Sequence, residues 1–484
     1  MVQLAVPHAI LMRLVSQLSA VVVLSTMAVL SGCLSKAPSQ AKVLHDSLPK
    51  GTKIPTAWTA DSSAAGVVTN DWLKSFHDPH LDAIVAEAIA NNLDLVQAAA
   101  RVEMARQNVV VVASQLKPQI GVVAGVATLR DKSQDRNYNS SATRFVIAWE
   151  PDIWGRLRAQ RAAAQAGFQA TALDYDWARQ SLAATASQAW YQAVELRRLL
   201  AVTEQAVKDY QELLRLAKVK RTAGQVAGLD VAEAGARLDL AQSELSSLQS
   251  LFIAAQRNLE VLLGRYPAAE IDISRDFAPL PPPVQAGLPS SLLDRRPDVV
   301  GAERLVLAAF RNLEANKLAL LPSFALNFDG GRISDSFLSL LKLNPWFYHV
   351  PLGMTVPIFT GGRLTAEVKI GSAQQQEAVA HYGSVVLNAF NEVETALTNE
   401  NLYAQQFQYL ERSFQEYSES VRIATIKYKA GTYDMQQVLQ LQTSQLSAEA
   451  DVIKVRSARI ANRINLHLAL GGSFEAAPAI QPIK

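Results

Sequence analysis

Residues 182–217 read LAATASQAWYQAVELRRLLAVTEQAVKDYQELLRLA, and this stretch decides the fold. Leu182, Ala186, Ala189, Ala193, Leu196, Leu200, Thr203, Val207, Tyr210, Leu214 and Ala217 follow each other at alternating spacings of four and three. Adding 207 to each number gives Ala389, Val393, Ala396, Glu400, Tyr403, Phe407, Leu410, Phe414, Tyr417, Val421 and Ala424, so the stripe recurs almost intact in the second half. A period of about 3.5 residues sustained over about five heptads belongs to helices that supercoil against neighbours, because only that period keeps one seam facing a partner.

Working outward, each stripe lies between two glycine breaks. Helix is expected from the turns at Trp154-Gly155-Arg156 and Gly361-Gly362-Arg363 to Gly224 and Gly431. Roughly 68 residues at about 1.5 Å each make a helix near 100 Å long, far beyond ordinary globular length. A return helix follows in each half, over about 230–263 and 434–470. Before the turns come strand patterns, expected at about 119–130, 143–154, 323–331 and 348–359, with loops at about 131–142 and 332–345. In the second and fourth, Phe145, Ile147, Trp149, Leu352, Met354, Val356 and Ile358 make one bulky apolar face. Val146, Ala148, Glu150, Gly353, Thr355 and Pro357 make a small or polar one. That alternation suits a barrel strand with lipid outside and water inside, although it also suits a two-sided sheet on a soluble core. A helix over about 80–116 precedes the first strand, and Arg295-Arg296-Pro297-Asp298 opens its counterpart.

The remaining segments are a leader over 1–32, a polar tether with Pro38, Pro49 and Pro55 over 33–70, and a first repeat over 71–270. A Pro-rich connector over 271–294, a second repeat over 295–472 and a tail over 473–484 complete the chain. In the leader, Arg13 supplies positive charge, residues 18–30 an apolar run, and Leu30-Ser31-Gly32-Cys33 ends it at the only cysteine of 484 residues. This reads as a lipoprotein signal in which the Cys33 thiol takes a diacylglycerol and its freed amine an acyl chain; a plain secretory leader is the alternative. No Asp follows Cys33, which favours the outer membrane, and Met12 is an alternative start to Met1.

Forty-six basic against 44 acidic residues leave a net charge of +2, which argues against a nucleic-acid partner. A single cysteine permits neither an internal disulfide nor a thiolate metal site. His77 and His80 lack further ligands beyond Asp78 and Asp82, no Walker loop is present, and neither a metal, a cofactor nor an enzymatic activity is expected. After the leader no run of about 18 apolar residues exists, so any membrane crossing must use strands. Four strands cannot close a barrel, for which about eight are needed. An open edge is forbidden in lipid, so the chain must oligomerise.

The two helix-hairpin tips are the candidate functional sites. Lys218, Lys220 and Arg221 precede Gly224, and Lys427 and Lys429 precede Gly431; Leu229 and Asp230 follow in one half, Tyr433 and Asp434 in the other. Basic residues suit a helix C-terminus, glycine a left-handed cap, and aspartate the cap of the next helix. The same residues would also suit a closed mouth and a docking surface.

The tracts Trp72-(x)3-Phe76-(x)-Asp78-Pro79, Asn91-Asn92-(x)-Asp94-Leu95, Trp149-(x)2-Asp152-(x)-Trp154-Gly155-Arg156, Arg295-Arg296-Pro297-Asp298-Val299 and Pro357-Ile358-Phe359-(x)-Gly361-Gly362-Arg363 resemble the outer membrane factors of tripartite efflux systems. The resemblance is to the lipidated, NodT-type or OprM-like branch of the TolC superfamily. Trp154 stands where phenylalanine is common, and the first tip carries the additional Gly228. The resemblance implies a mainly α fold with a membrane β-barrel. In a homotrimer, four strands per chain complete twelve, and long antiparallel helices form a periplasmic tunnel. It also implies a passive exit duct for toxic small molecules, a periplasmic adaptor docked at the tips, an inner-membrane pump of the RND type, and outer-membrane lipids as surroundings. A duct for type I protein secretion and a non-pore coiled-coil lipoprotein remain alternatives. The exported substrate is not legible.

Overall fold

The computed structural model describes residues 35–61, 66–131, 136–334 and 346–476; Cys33 and the leader lie outside them. The chain is mainly helical, with one antiparallel sheet. Its elements are α1 (Gln40–Ser47), α2 (Pro79–Asn91), α3 (Leu93–Ser114), β1 (Gln119–Asp131), β2 (Arg136–Trp149), α4 (Arg156–Thr222), α5 (Gly228–Leu262), α6 (Pro289–Arg295), α7 (Pro297–Leu318), β3 (Ser323–Ser334), β4 (Phe347–His349), β5 (Leu352–Thr355), α8 (Arg363–Lys429) and α9 (Met435–Ala469). A 3-10 turn at Trp72–Phe76 precedes α2. The chain compacts into two units, one of residues 1–50, 101–172 and 301–383, the other of 51–100, 173–300 and 384–484. Each unit draws on both halves of the sequence.

Helices α4 and α8 are each 67 residues, about 100 Å at 1.5 Å per residue, and α5 and α9 are each 35. Of the stripe, Ala186, Ala193, Val207, Tyr210, Ala217, Ala389, Val393, Ala396 and Ala424 are buried. Small residues dominate because they let helix backbones approach closely. In the second half, Tyr403, Phe407, Leu410 and Phe414 are only half-buried, and Tyr417 is exposed. The odd charge in the stripe is resolved: Glu400 is gripped by buried Arg463 of α9, which also donates to the Pro281 and Pro282 carbonyls. One guanidinium thus neutralises the stripe's carboxylate and holds the proline connector, whose rings leave acceptors without matching donors.

The sequence-derived boundaries shift in several places: the third strand runs on to Ser334, inside the expected loop, and the connector ends in helix α6, whose Pro289 sits in the first turn where a missing N–H costs nothing. The helix over 80–116 is broken at Asn92, whose Oδ1 accepts from the Asp94 and Leu95 amides (3.0 and 3.2 Å) while its Nδ2 donates to the Leu262 carbonyl (3.1 Å). The second strand lies at Arg136–Trp149 rather than 143–154, starting inside the expected loop. It stops before Pro151, which has no N–H to donate, and Asp152 instead caps α4 through the Leu157 and Arg158 amides (3.0 and 2.9 Å). The fourth strand, expected to be continuous over 348–359, is two short pieces, β4 and β5, interrupted at Pro351 and finished before Pro357. Val356 and Ile358 therefore lie outside the strand. Finally, the expected extended tether is docked: Ser39 caps α1, Val43 is buried, and Trp58 is buried with Nε1 donating to the Ala286 and Gly287 carbonyls (both 3.1 Å).

The second unit holds its core where Trp72, Phe76, Leu81, Val85, Trp190, Tyr191, Leu259, Ile273 and Ile464 pack together. Asp78 organises its edge, accepting from the His80 and Leu81 amides, Trp190 Nε1 (3.1 Å) and Tyr191 Oη (3.3 Å). The His80 ring stacks on Trp190. In the Arg295-Arg296-Pro297-Asp298 start, Arg296 is buried, paired with Asp298 (2.9 Å) and Glu392 (2.6 Å), and laid 4.6 Å over the Trp177 ring.

Candidate functional site

Two regions carry functional candidates, the sheet and the helix tips. In the sheet, β1 pairs with β2, β2 with β3, and β3 with both β4 and β5, all antiparallel. The register aligns Ile120, Ile147 and Phe328 across three strands, Trp149, Leu326 and Leu352 across another three, and Phe324 with Met354. Partners across an antiparallel ladder project to the same side, so these residues share one face with Val122 and Phe145. That face is open: Ile120, Val122, Leu352 and Met354 are about two-thirds exposed. The opposite face carries Arg144, Ala148, Asn327 and Asp329, and on it Arg144 and Asp329 form an ion pair at 2.9 Å. A soluble two-sided sheet hides its greasy face; here the apolar face is left as open as the opposite one, on which Val123, Ala148 and Ala325 are exposed. Gly331 allows the close pairing of β2 and β3, since a Cβ there would meet the Thr143 carbonyl at 2.1 Å. No helix among the described residues is long and apolar enough to cross a membrane.

Side-chain hydrogen bonds fasten the ends of the sheet. Trp149 Nε1 donates to the Leu116 carbonyl (3.1 Å) and Trp154 Nε1 to that of Pro322 (2.7 Å). Gly155, Gly361 and Gly362 hold positive φ of 87°, 60° and 85° at the strand-to-helix turns, a conformation any Cβ would strain.

At the tips, Gly224 and Gly431 have φ of 72° and 78° and close the ends of α4 and α8 as left-handed caps. The aspartates do not act as expected. Asp434 occupies the N-cap position of α9 but its side chain makes no capping hydrogen bond, and Asp230 lies inside the first turn of α5, whose N-cap is Ala227. Their carboxylates are thereby left to act through charge, favourably placed at helix N-termini. Arg221, Lys427, Lys429, Leu229 and Asp434 are exposed; Tyr433 packs on a cluster that includes Tyr210, Tyr428, Met435 and Val438, with Lys427 5.9 Å from its ring centroid.

The contact joining the two tips was not legible in the sequence. Lys220 of α4 is buried, donates Nζ to the Tyr428 carbonyl in the last turn of α8, and lies 4.0 Å from the Tyr428 ring centroid. It thus caps a neighbouring helix C-terminus with a full charge. The Tyr428 hydroxyl is buried without a partner; burial first and then the Asp230 charge push its pKa up. A lysine among three cations carries no signal for burial, and Tyr428 lies just beyond the end of the stripe at Ala424.

With this geometry in place, the comparisons with known proteins agree. The model of the outer membrane efflux protein family matches residues 84–265 and 288–472. The pyoverdine export outer membrane protein OpmQ of Pseudomonas putida is 29% identical over 441 residues, 88% of this chain and 92% of that protein. The probable outer membrane lipoprotein SilC of Salmonella typhimurium is 24% identical over 93% of this chain and 98% of its own length. A solved structure of the outer-membrane channel OprN superimposes with a TM-score of 0.82 at 24% identity, covering 92% of this chain and 99% of that one, which shows the fold.

Proposed function

The chain belongs to the outer membrane efflux protein family, and from that premise we propose that it is the passive exit duct of a tripartite efflux system. Three copies complete a twelve-stranded barrel in the outer membrane, with β4 and β5 acting as one interrupted strand per chain. Their long helices coil into a periplasmic tunnel that meets an adaptor and, through it, an inner-membrane pump of the RND type. The cargo is a small toxic or exported molecule, a reading supported by the OpmQ likeness; Cys33 carries the lipid, a reading supported by the likeness to SilC.

The observation that carries the proposal is the sheet: an open apolar face, a polar face with the Arg144–Asp329 pair, and outer edges on β1 and on β4 and β5 that are unpaired among the described residues. Only closure with other copies satisfies those edges in lipid. The half-buried aromatic stripe of α8 supplies a matching seam for a neighbouring helix. At the tips, Lys220 holds the two hairpins of one chain together, and the uncapped Asp230 and Asp434, repeated by threefold symmetry, pair with Arg221, Lys427 or Lys429 of neighbours. Exposed pairs are worth about 0–1 kcal/mol each, weak enough for an adaptor to open.

Planar-bilayer recording of the purified protein is the direct test. Wild type should be nearly closed and Lys220→Met should conduct; a variant that is trimeric by cross-linking yet never conducts, even after the tip aspartates are also removed, would defeat the duct reading.

A further inference from the structure

The first described residue of the mature chain is held by a site that its position would not lead one to expect. Ser35 N–H donates to Glu314 Oε1 at 2.6 Å, and the Ser35 carbonyl accepts from Arg311 Nη1 at 2.8 Å. Arg311 and Glu314, one turn apart on α7, pair at 2.7 Å, and their side chains are 13% and 12% exposed. Both main-chain groups of one residue are therefore satisfied by one nearly buried ion pair. Desolvation alone would raise the Glu314 pKa; hydrogen bonds from Ser35 and the Arg311 charge instead hold it below the ordinary carboxylate range. The Arg311 guanidinium also lies 5.3 Å from the Phe310 ring centroid.

Exposed ion pairs at a spacing of three are common on this chain; Arg106 with Glu103 and Arg422 with Glu419 are examples that grip no backbone. The α7 pair differs in being largely covered, at 13% and 12% side-chain exposure, and in taking a terminal segment as its third member. A second dock follows 12 residues later, where the Ser47 carbonyl lies against α8 so closely that a Cβ at Gly383 would stand 2.4 Å from it. Between the two docks, α1 buries Val43.

Cys33 precedes Ser35 by two residues, so any acyl chain on it begins within about 7 Å of chain from the clamp. Helix α7 ends at Leu318, and β3 starts at Ser323. We propose that Arg311 and Glu314 are a docking clamp for the root of the lipid anchor. They fix the point at which the acyl chains enter the membrane to the helix that feeds the third strand, so that lipid and sheet reach the bilayer in register. The inference rests on the reading of Cys33 as the lipidated residue. A slack polar tether, by contrast, would leave the acyl chains free to insert anywhere within the tether's reach.

The test compares the full-length protein with Arg311→Met, Glu314→Gln and Ser35→Pro, the last of which deletes the donated N–H without touching α7. Hydrogen–deuterium exchange of the N-terminal peptic peptide should rise at least tenfold in all three variants, and conversion of newly made chains to cross-linkable trimer should slow several-fold. Unchanged exchange in Ser35→Pro together with Glu314→Gln would overturn the clamp, and faster exchange with an unaltered assembly rate would overturn its positioning role. Mass spectrometry of the same peptide reports acylation separately. Loss of protection in acylated chains supports the clamp. An unacylated wild-type peptide would refute the anchor assignment, and with it the proposal, without touching the efflux reading.

Discussion

His467 should make this protein acid-labile, by an amount that its surroundings define. It is 4% exposed, stacked on Trp72 with ring centroids 5.7 Å apart, its Nδ1 has no hydrogen-bond partner, and Arg463 lies one turn away. Burial first, and the Arg463 charge second, depress its pKa from 6.5 to about 3. A base with a depressed pKa stays neutral in the folded state while the unfolded chain takes up a proton. The associated stability is therefore full above pH 6.5 and lost progressively as pH falls toward about 3. At pH 4.5, two units into that window, the loss is about 2–3 kcal/mol per protomer, at about 1.4 kcal/mol per unit. His467→Phe keeps a ring against Trp72 and removes the titration. Thermal unfolding followed by tryptophan fluorescence at pH 7.5 and pH 4.5 gives four midpoints, and the double difference cancels every other titrating group. The fall in midpoint on acidification should be clearly smaller in the variant. An identical fall in both proteins would refute the reasoning, showing that His467 is either solvated or already protonated in the folded state.

The sheet register predicts that Ile147→Arg or Met354→Arg costs about 2–4 kcal/mol near the bilayer midplane, while Ala148→Arg on the polar face is milder. Equal losses of cross-linkable trimer from both faces would contradict the alternation. Removing Arg463 as Arg463→Leu takes from Glu400 its hydrogen-bonded cation, leaving only the more distant Arg459 charge, and should cost about 3 kcal/mol in unfolding, with a substantial part recovered in the double variant that adds Glu400→Leu. At the tips, Asp434→Ala with Asp230→Ala should raise single-channel conductance or the entry of large antibiotics at unchanged trimer yield. Because neither carboxylate makes a side-chain cap, helix content by circular dichroism should not change, and a marked drop would show that they act as caps after all.

The heptad stripe, the glycine turns and the alternating segments were sufficient to read two very long helices, two return helices and a sheet from the chain alone, because these features are local. A period of 3.5, a positive φ and a two-residue alternation each fix the backbone within a few residues of where they are written. What the chain could not reveal was which distant groups meet. Glu400 interrupts an otherwise uncharged stripe, and its partner Arg463 comes from another helix, 63 residues away. Lys220 reads as one of three cations suited to the end of its own helix, yet its ammonium is buried on the Tyr428 carbonyl of another. The tether looked free until Trp58 and Ser35 were found docked against partners more than 200 residues away. The prolines at 351 and 357 are visible in the sequence, yet the pairing that continues past the first of them, with the Asn327 N–H donating to the Pro351 carbonyl, belongs to the sheet. Charges and hydrogen-bond donors carry no periodic signature of their partners. Their role is set when burial removes water and leaves one arrangement that satisfies every group, and that is decided only in three dimensions.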